Sequence, residues 1–217
     1  MKNKNKTNFF ISAGLLATFV LWTVAVMYID VRAIGPRGSQ VGFALLNGTV
    51  HSLTGVNFTL YNITDWLGLV PIFVCLGFGA LGLCQLIKRK SVVKVDFDII
   101  ALGVFYAVVI AVFIFFEVFV VNYRPVLIEG VLEASYPSST TLLVMCVIPS
   151  AAIQFKKRIK NNALKKLVIT LCVAFTVFMV VGRLISGVHW ITDIIGGALF
   201  SAGIVEMYLS FINLNKR

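Results

Sequence analysis

The sequence predicts an all-α membrane protein: one domain over residues 1–217, six transmembrane helices in a bundle, both termini cytoplasmic. Three observations carry this reading. Hydrophobic residues make up 59% of the 217-residue chain and charged residues only 13%, with a mean hydropathy of +0.95. A soluble domain needs a largely polar exterior and cannot hide that much apolar surface. The apolar residues also gather into six stretches near the roughly 20 helical residues needed to cross a hydrocarbon core. Finally, the basic residues fall between those stretches with a strong bias to one side.

The first stretch, Phe9–Ile29, follows Lys2, Lys4 and Lys6. It is long for the apolar region of a signal peptide and no small-residue cleavage site follows, so it reads as a retained anchor. The others are Trp66–Ile87, Phe97–Val121, Ser138–Phe155, Leu167–Ile185 and Ile191–Ile212. Basic residues number three at the N-terminus, four over Lys88–Lys94, six over Lys156–Lys166 and two at Lys216 and Arg217, fifteen of the nineteen. Arg32, Arg37, Arg124 and Arg183 face the other way. Positive charge is retained in cytoplasmic loops, and an even number of crossings returns both termini to that side. The expected location is a bacterial plasma membrane. Net charge is +10, but it lies in short runs suited to anionic lipid head groups, with no basic face or aromatic platform for nucleic acid.

The outer side then holds one long connection, Asp30–Asp65, and two short ones, Asn122–Pro137 and Gly182–Trp190. The first begins with a turn signal at Gly35–Gly38 and continues as a mixed stretch suited to the membrane surface. Its sequons at Asn47, Asn57 and Asn62 fit an external loop. Cys75, Cys84, Cys146 and Cys172 all lie in apolar stretches without metal-ligand spacing and read as small apolar residues.

Ionisable groups beside membrane helices are costly and point to function. On the outer side these are Arg124, Arg183, His189 and Asp193. A helix starting near Val188 would put His189 and Asp193, four apart, on one face. The carboxylate could then hold the imidazole tautomer and leave the other nitrogen free to attack. Two arginines suit bidentate contacts to an oxyanion. Ser138, Ser139, Thr140 and Thr141 follow Pro137 and open a helix, whose free N–H groups form an anion cradle. Singly, each has a plainer reading as a structural histidine, a snorkelling arginine or a helix cap.

Together these residues resemble the type 2 phosphatidic acid phosphatase superfamily, membrane lipid phosphatases that share a site with vanadium haloperoxidases. That family shows Lys-x6-Arg-Pro, Pro-Ser-Gly-His and Ser-Arg-x5-His-x3-Asp. Here the blocks stand as Glu117-x6-Arg124-Pro125, Pro137-Ser138-Ser139-Thr140 and Gly182-Arg183-x5-His189-x3-Asp193. The resemblance implies that His189 is the nucleophile, forming a phosphohistidine, and that Asp193 orients it. It also implies that Arg124, Arg183, Ser138 and Ser139 bind the phosphoryl group, with no metal or cofactor.

Two departures stand out. Glu117 reverses the charge of the first-block lysine, and Thr140 replaces the histidine that protonates the leaving group. A threonine hydroxyl can donate a hydrogen bond as a substitute but is far too weak an acid to replace imidazolium. General acid catalysis is typically worth about 10²–10⁴-fold, and its loss matters least when the leaving group is itself a phosphate, with a second pKa near about 6. His51, Glu129 and Glu133 are further proton-donor candidates, all on the outer side. The sequence thus predicts a lipid phosphatase acting on the outer face on an isoprenyl diphosphate, with phosphatidylglycerol phosphate or phosphatidate next. The rival is a catalytically impaired phospholipid-binding or lipid-translocating protein that keeps the anion pocket.

Overall fold

The structure, a computed structural model, describes the backbone of residues 2–214 and the side chains of residues 7–214. The side chains of Lys2, Lys4 and Lys6, and residues Lys216 and Arg217, which enter the charge count, lie outside the described residues. The described residues form eight α-helices: α1 (Lys2–Tyr28), α2 (Ala44–Thr54), α3 (Phe58–Leu67), α4 (Leu69–Arg89), α5 (Phe97–Val118), α6 (Ser139–Arg158), α7 (Asn162–Ile185) and α8 (Ile191–Leu214). Among the described residues, six spans are long and apolar enough to cross a membrane, as the sequence predicts.

The second span differs from expectation. It begins at Phe58 rather than Trp66, because α3 runs almost straight into α4. Asn57 caps α3 by accepting a hydrogen bond from the Leu60 N–H at 2.9 Å, which offsets one orphan donor. The polar residues Thr59, Asn62, Thr64 and Asp65 hide this helix from an apolarity window. The long outer connection is therefore not a surface loop, since α2 and α3 both lie within it. The sequon at Asn47 is buried as well. Its side-chain amide donates to Gly42 O at 2.7 Å and Thr192 Oγ1 at 3.0 Å, so Asn47 presents no glycan-accepting surface.

Burial sorts the spans. Within the most apolar window of each, 56% of α6 and 50% of α8 are buried, against 11–22% elsewhere. These two are also the least apolar of the six, because protein rather than lipid surrounds them. Small residues let the backbones approach, as expected without a hydrophobic drive between helices in lipid. Ser12 of α1 donates to Gly203 O of α8 at 2.8 Å, and a Cβ at Gly203 would lie 2.9 Å from Leu16. The basic loops at α4–α5 and α6–α7 share one end of the bundle. There Asp98 pairs with Lys157 at 2.8 Å and Arg158 at 3.2 Å. The opposite end carries the residues singled out above.

Candidate active site

Three connections build that end. The first is the α5–α6 segment, which folds back on itself through bridges at Tyr123–Ala134 and Ile128–Val131. Glu129 and Gly130 occupy its tip, both with positive φ, the requirement of a two-residue hairpin turn. The pairing places Arg124 beside Glu133 and Ser135 beside Asn122. Arg37 ties the first outer connection to the tip by donating to Gly130 O at 2.9 Å.

The second is the α7–α8 turn. Gly187 has φ +67, and a Cβ there would lie 1.8 Å from Gly55 O, so only glycine fits between this turn and α2. Asn57 N–H donates to Ser186 O at 2.9 Å. The third is the start of α6, where Ser138 caps the helix by accepting from the Thr141 N–H at 3.4 Å and donates its own N–H to Asp193 O at 3.2 Å.

Arg124, Arg183, His189 and Asp193 are all buried, with 8%, 1%, 3% and 0% of their surface exposed. α8 begins at Ile191 rather than near Val188, so His189 sits just ahead of the helix rather than on it. Its Nδ1 is 3.8 Å from Asp193 Oδ2, too far for a direct hydrogen bond. Ser135 fills the gap. Its Oγ lies 3.1 Å from His189 Nδ1 and donates to Asp193 Oδ2. Because the single hydroxyl proton is given to the carboxylate, Ser135 Oγ accepts from His189, so Nδ1 carries the imidazole proton. Asp193 Oδ2 also accepts from the Trp190 N–H at 2.9 Å. Nε2 of His189 is then the bare nitrogen, and it is buried without a partner among the described residues. Burial first, and then the charges of Arg124 and Arg183, hold this imidazole well below its usual pKa range and keep it neutral.

The arginines are similarly incomplete. Arg183 Nη1 lies 3.4 Å from Thr64 Oγ1 and 3.6 Å from Asp65 Oδ1, while its Nε has no partner among the described residues. Arg124 Nε is 3.1 Å from Glu133 Oε2, but the angle makes no hydrogen bond, and Nε and Nη1 both remain unsatisfied. Both guanidinium groups sit over the ring of Tyr61, at 4.9 Å for Arg183 and 5.9 Å for Arg124. Buried donors without partners are uncommon because each costs about 1–3 kcal/mol or more. Two buried guanidinium groups with open N–H edges, close enough to lower the pKa of His189, are the kind of donors that suit a tetrahedral oxyanion.

A family model described as the PAP2 superfamily matches residues 3–217. The chain belongs to that superfamily. Its fold is similar to the crystal structure described as the first transmembrane PAP2-type phosphatidylglycerolphosphate phosphatase from Bacillus subtilis. The TM-score is 0.67 at 16% identity, with 95% of this chain and 98% of that one covered. No curated protein matches the sequence. Membership places this multi-pass membrane protein among phosphatases.

Other expected residues are distributed unevenly in this PAP2 chain. Ser139 and Thr140 line an apolar cavity of about 520 Å³ between α4, α5 and α6, with Asp65 on the same rim. Ser138 is fully buried as the α6 cap, so its hydroxyl is already engaged. Glu117 is exposed and forms no hydrogen bond or ion pair among the described residues, so it does not shape the pocket. His51 is not a surface loop residue. It lies in α2, with Nε2 3.1 Å from Gly187 O. Glu129 is exposed at the hairpin tip. Ser135, Tyr61, Thr64 and Asp65 are the residues that sequence reasoning missed. The Glu-Gly pair at the hairpin tip was the one available signal for the first of them.

Proposed function

We propose that this protein is a lipid phosphatase that transfers a phosphoryl group from a lipid diphosphate to Nε2 of His189 and then hydrolyses the phosphohistidine. The observation that carries this is the convergence of unpartnered buried donors on Arg124 and Arg183 with the bare His189 Nε2. As Nε2 attacks phosphorus, the imidazole gains positive charge, which the Ser135–Asp193 relay stabilises through Nδ1. The arginines hold the equatorial oxygens, where electrostatic positioning does most of the work in phosphoryl transfer. The bond to the leaving oxygen breaks on the cavity side, where Ser139 and Thr140 stand. Neither hydroxyl can protonate an alkoxide, so a phosphate leaving group suits the site better than an alcohol. The basic loops at the opposite end support an active site facing outward.

The cavity supports a lipid substrate, because its walls, Ile72, Val109 and Leu143 among them, are apolar. A second cavity of about 370 Å³ between α4 and α5 shares Cys75 and Tyr106 with the first. Taken as one groove, the two linings would follow α4 from Leu69 to Leu86, about 26 Å at the helical rise. Half of a bilayer core is only about 15 Å, so the groove suits one long isoprenyl chain better than two acyl chains.

The test is phosphate release by the purified protein in detergent from farnesyl diphosphate, a longer polyprenyl diphosphate, phosphatidylglycerol phosphate and phosphatidate. Diphosphates should be cleaved fastest, and His189→Ala should abolish the release. Thr140→His should raise monoester activity. The Thr140 departure also favours a second reading, a lipid-binding protein that does not turn over. Saturable lipid binding without phosphate release, unchanged in His189→Ala, would establish that reading in place of the first.

A further inference from the structure

We infer that Asp65 is the general base of the second half-reaction, drawing a proton from the water that hydrolyses the phosphohistidine. This rests on the phosphatase reading above. Once phosphorus is bonded to Nε2, water must attack from the side opposite that nitrogen, since entering and leaving groups lie roughly in line. In the reading proposed above, that is the side the leaving group vacates, where Ser139 and Thr140 line the larger cavity.

Among the residues lining that cavity, Asp65 is the one carboxylate. It lines the cavity together with Ser139 and Thr140, and Oδ1 lies 3.6 Å from Nη1 of Arg183, the guanidinium whose Nε is open among the described residues. A phosphoryl oxygen on that Nε and the Asp65 carboxylate would then share one guanidinium. Unlike that of the fully buried Asp193, the side chain of Asp65 is 57% exposed. The backbone around it is fixed, because the Gly68 N–H donates to Asp65 O at 3.0 Å. A Cβ at Gly68 would lie 2.8 Å from the same oxygen, so the tight junction of α3 and α4 depends on glycine.

The other bases are excluded by position. Asp193 is fully buried and held by Ser135 and Trp190. Glu133 stands against Arg124 and does not line the cavity. Thr140 offers no basic atom of useful strength. In the step assigned to Asp65, the water oxygen bonds to phosphorus and the Nε2–P bond breaks. Its electron pair returns to Nε2, one water proton moves to Asp65, and inorganic phosphate departs. The arrangement divides a role: the proton acceptor for the second step is present, while a proton donor for the first is not. A mere counterion to Arg183 would affect both steps alike.

The experiment uses the full chain in detergent with β-³²P-labelled farnesyl diphosphate and rapid quenching, comparing wild type with Asp65→Asn. Little phosphoenzyme should accumulate in wild type. In Asp65→Asn, acid-labile, base-stable phosphohistidine should build up to most of the sites. Steady-state turnover should fall about 10²-fold, within the usual range for loss of a proton-transfer group, while the burst rate changes less than about threefold. Asp65→Glu should restore turnover, and added formate should accelerate Asp65→Ser. Phosphoenzyme no greater in Asp65→Asn and Asp65→Ser than in wild type overturns the inference, whether or not turnover falls. If wild type releases phosphate in a His189-dependent manner and Asp65→Asn matches it, the inference fails alone. If wild type forms no phosphoenzyme and releases no phosphate, the phosphatase reading fails and this inference with it.

Discussion

Replacing Ser135 with alanine tests the relay between His189 and Asp193. The hydroxyl is buried, 3.1 Å from Nδ1, and donates to a carboxylate that is itself fully buried. Hydrogen bonds to charged groups are worth about 1.5–3 kcal/mol. In the proposed mechanism the relay bonds strengthen as the imidazole becomes cationic during attack, so most of that range should appear in the barrier. At about 1.4 kcal/mol per factor of ten, kcat/KM should drop roughly 10- to 150-fold. Asp193 keeps its Trp190 N–H at 2.9 Å, so the fold should survive. Phosphate release from farnesyl diphosphate gives the rate, and a double-mutant cycle with Asp193→Asn gives the coupling. Residues acting in series should be strongly non-additive, so the double variant should be little slower than Asp193→Asn. A Ser135→Ala enzyme within twofold of wild type, or additive losses in the cycle, would refute the relay.

Three other predictions follow from the same geometry. The folded-state pKa of His189 is lowered, so its stabilising contribution is complete above the ordinary value near about 6.5 and is lost as pH falls from there toward the folded value. The slope is at most about 1.4 kcal/mol per pH unit; unfolding in detergent at pH 7.5 and 5.5 should show a larger loss for wild type than for His189→Asn, and equal losses would contradict it. Arg183→Lys keeps the charge but removes Nε and the planar stack on Tyr61, so kcat/KM should fall about 10²-fold, the equivalent of one charge-assisted bond, with vanadate inhibition weakened in parallel. Gly196→Ala should lower thermal stability by about 1–3 kcal/mol in a melting assay, because the new methyl would lie 2.6 Å from the Tyr136 ring.

The crossings were legible because lipid demands long apolar runs, and their number matches. Arg124, Arg183, His189 and Asp193 were legible because charge beside a membrane helix is expensive and therefore noticeable. Ser135 was not, since a serine before Tyr-Pro looks like any polar loop residue until the hairpin sets it opposite Asn122. Nor was α3, whose inward Tyr61 and Thr64 alternate with polar positions that resemble a loop. The helix exists because Asn57 caps it and because α7 offers Arg183 to pack against, and neither fact is local. The direct His189–Asp193 contact expected from spacing four depended on both residues being helical. The turn at Gly187 instead leaves His189 just outside the helix.

The burial of α6 and α8 has a consequence for how the protein is made. A nascent segment partitions into the bilayer according to its own apolarity, and these are the two least apolar spans. They are also the two that contribute Ser139, Thr140 and Asp193. Each depends on neighbours that emerge before or after it from the ribosome, α5 and α7 flanking α6 and the early α1 receiving α8. Biogenesis should therefore stall at α6 or α8 when a flanking span is weakened, and Ser139, Thr140 and Asp193 would be among the last residues to reach their final places.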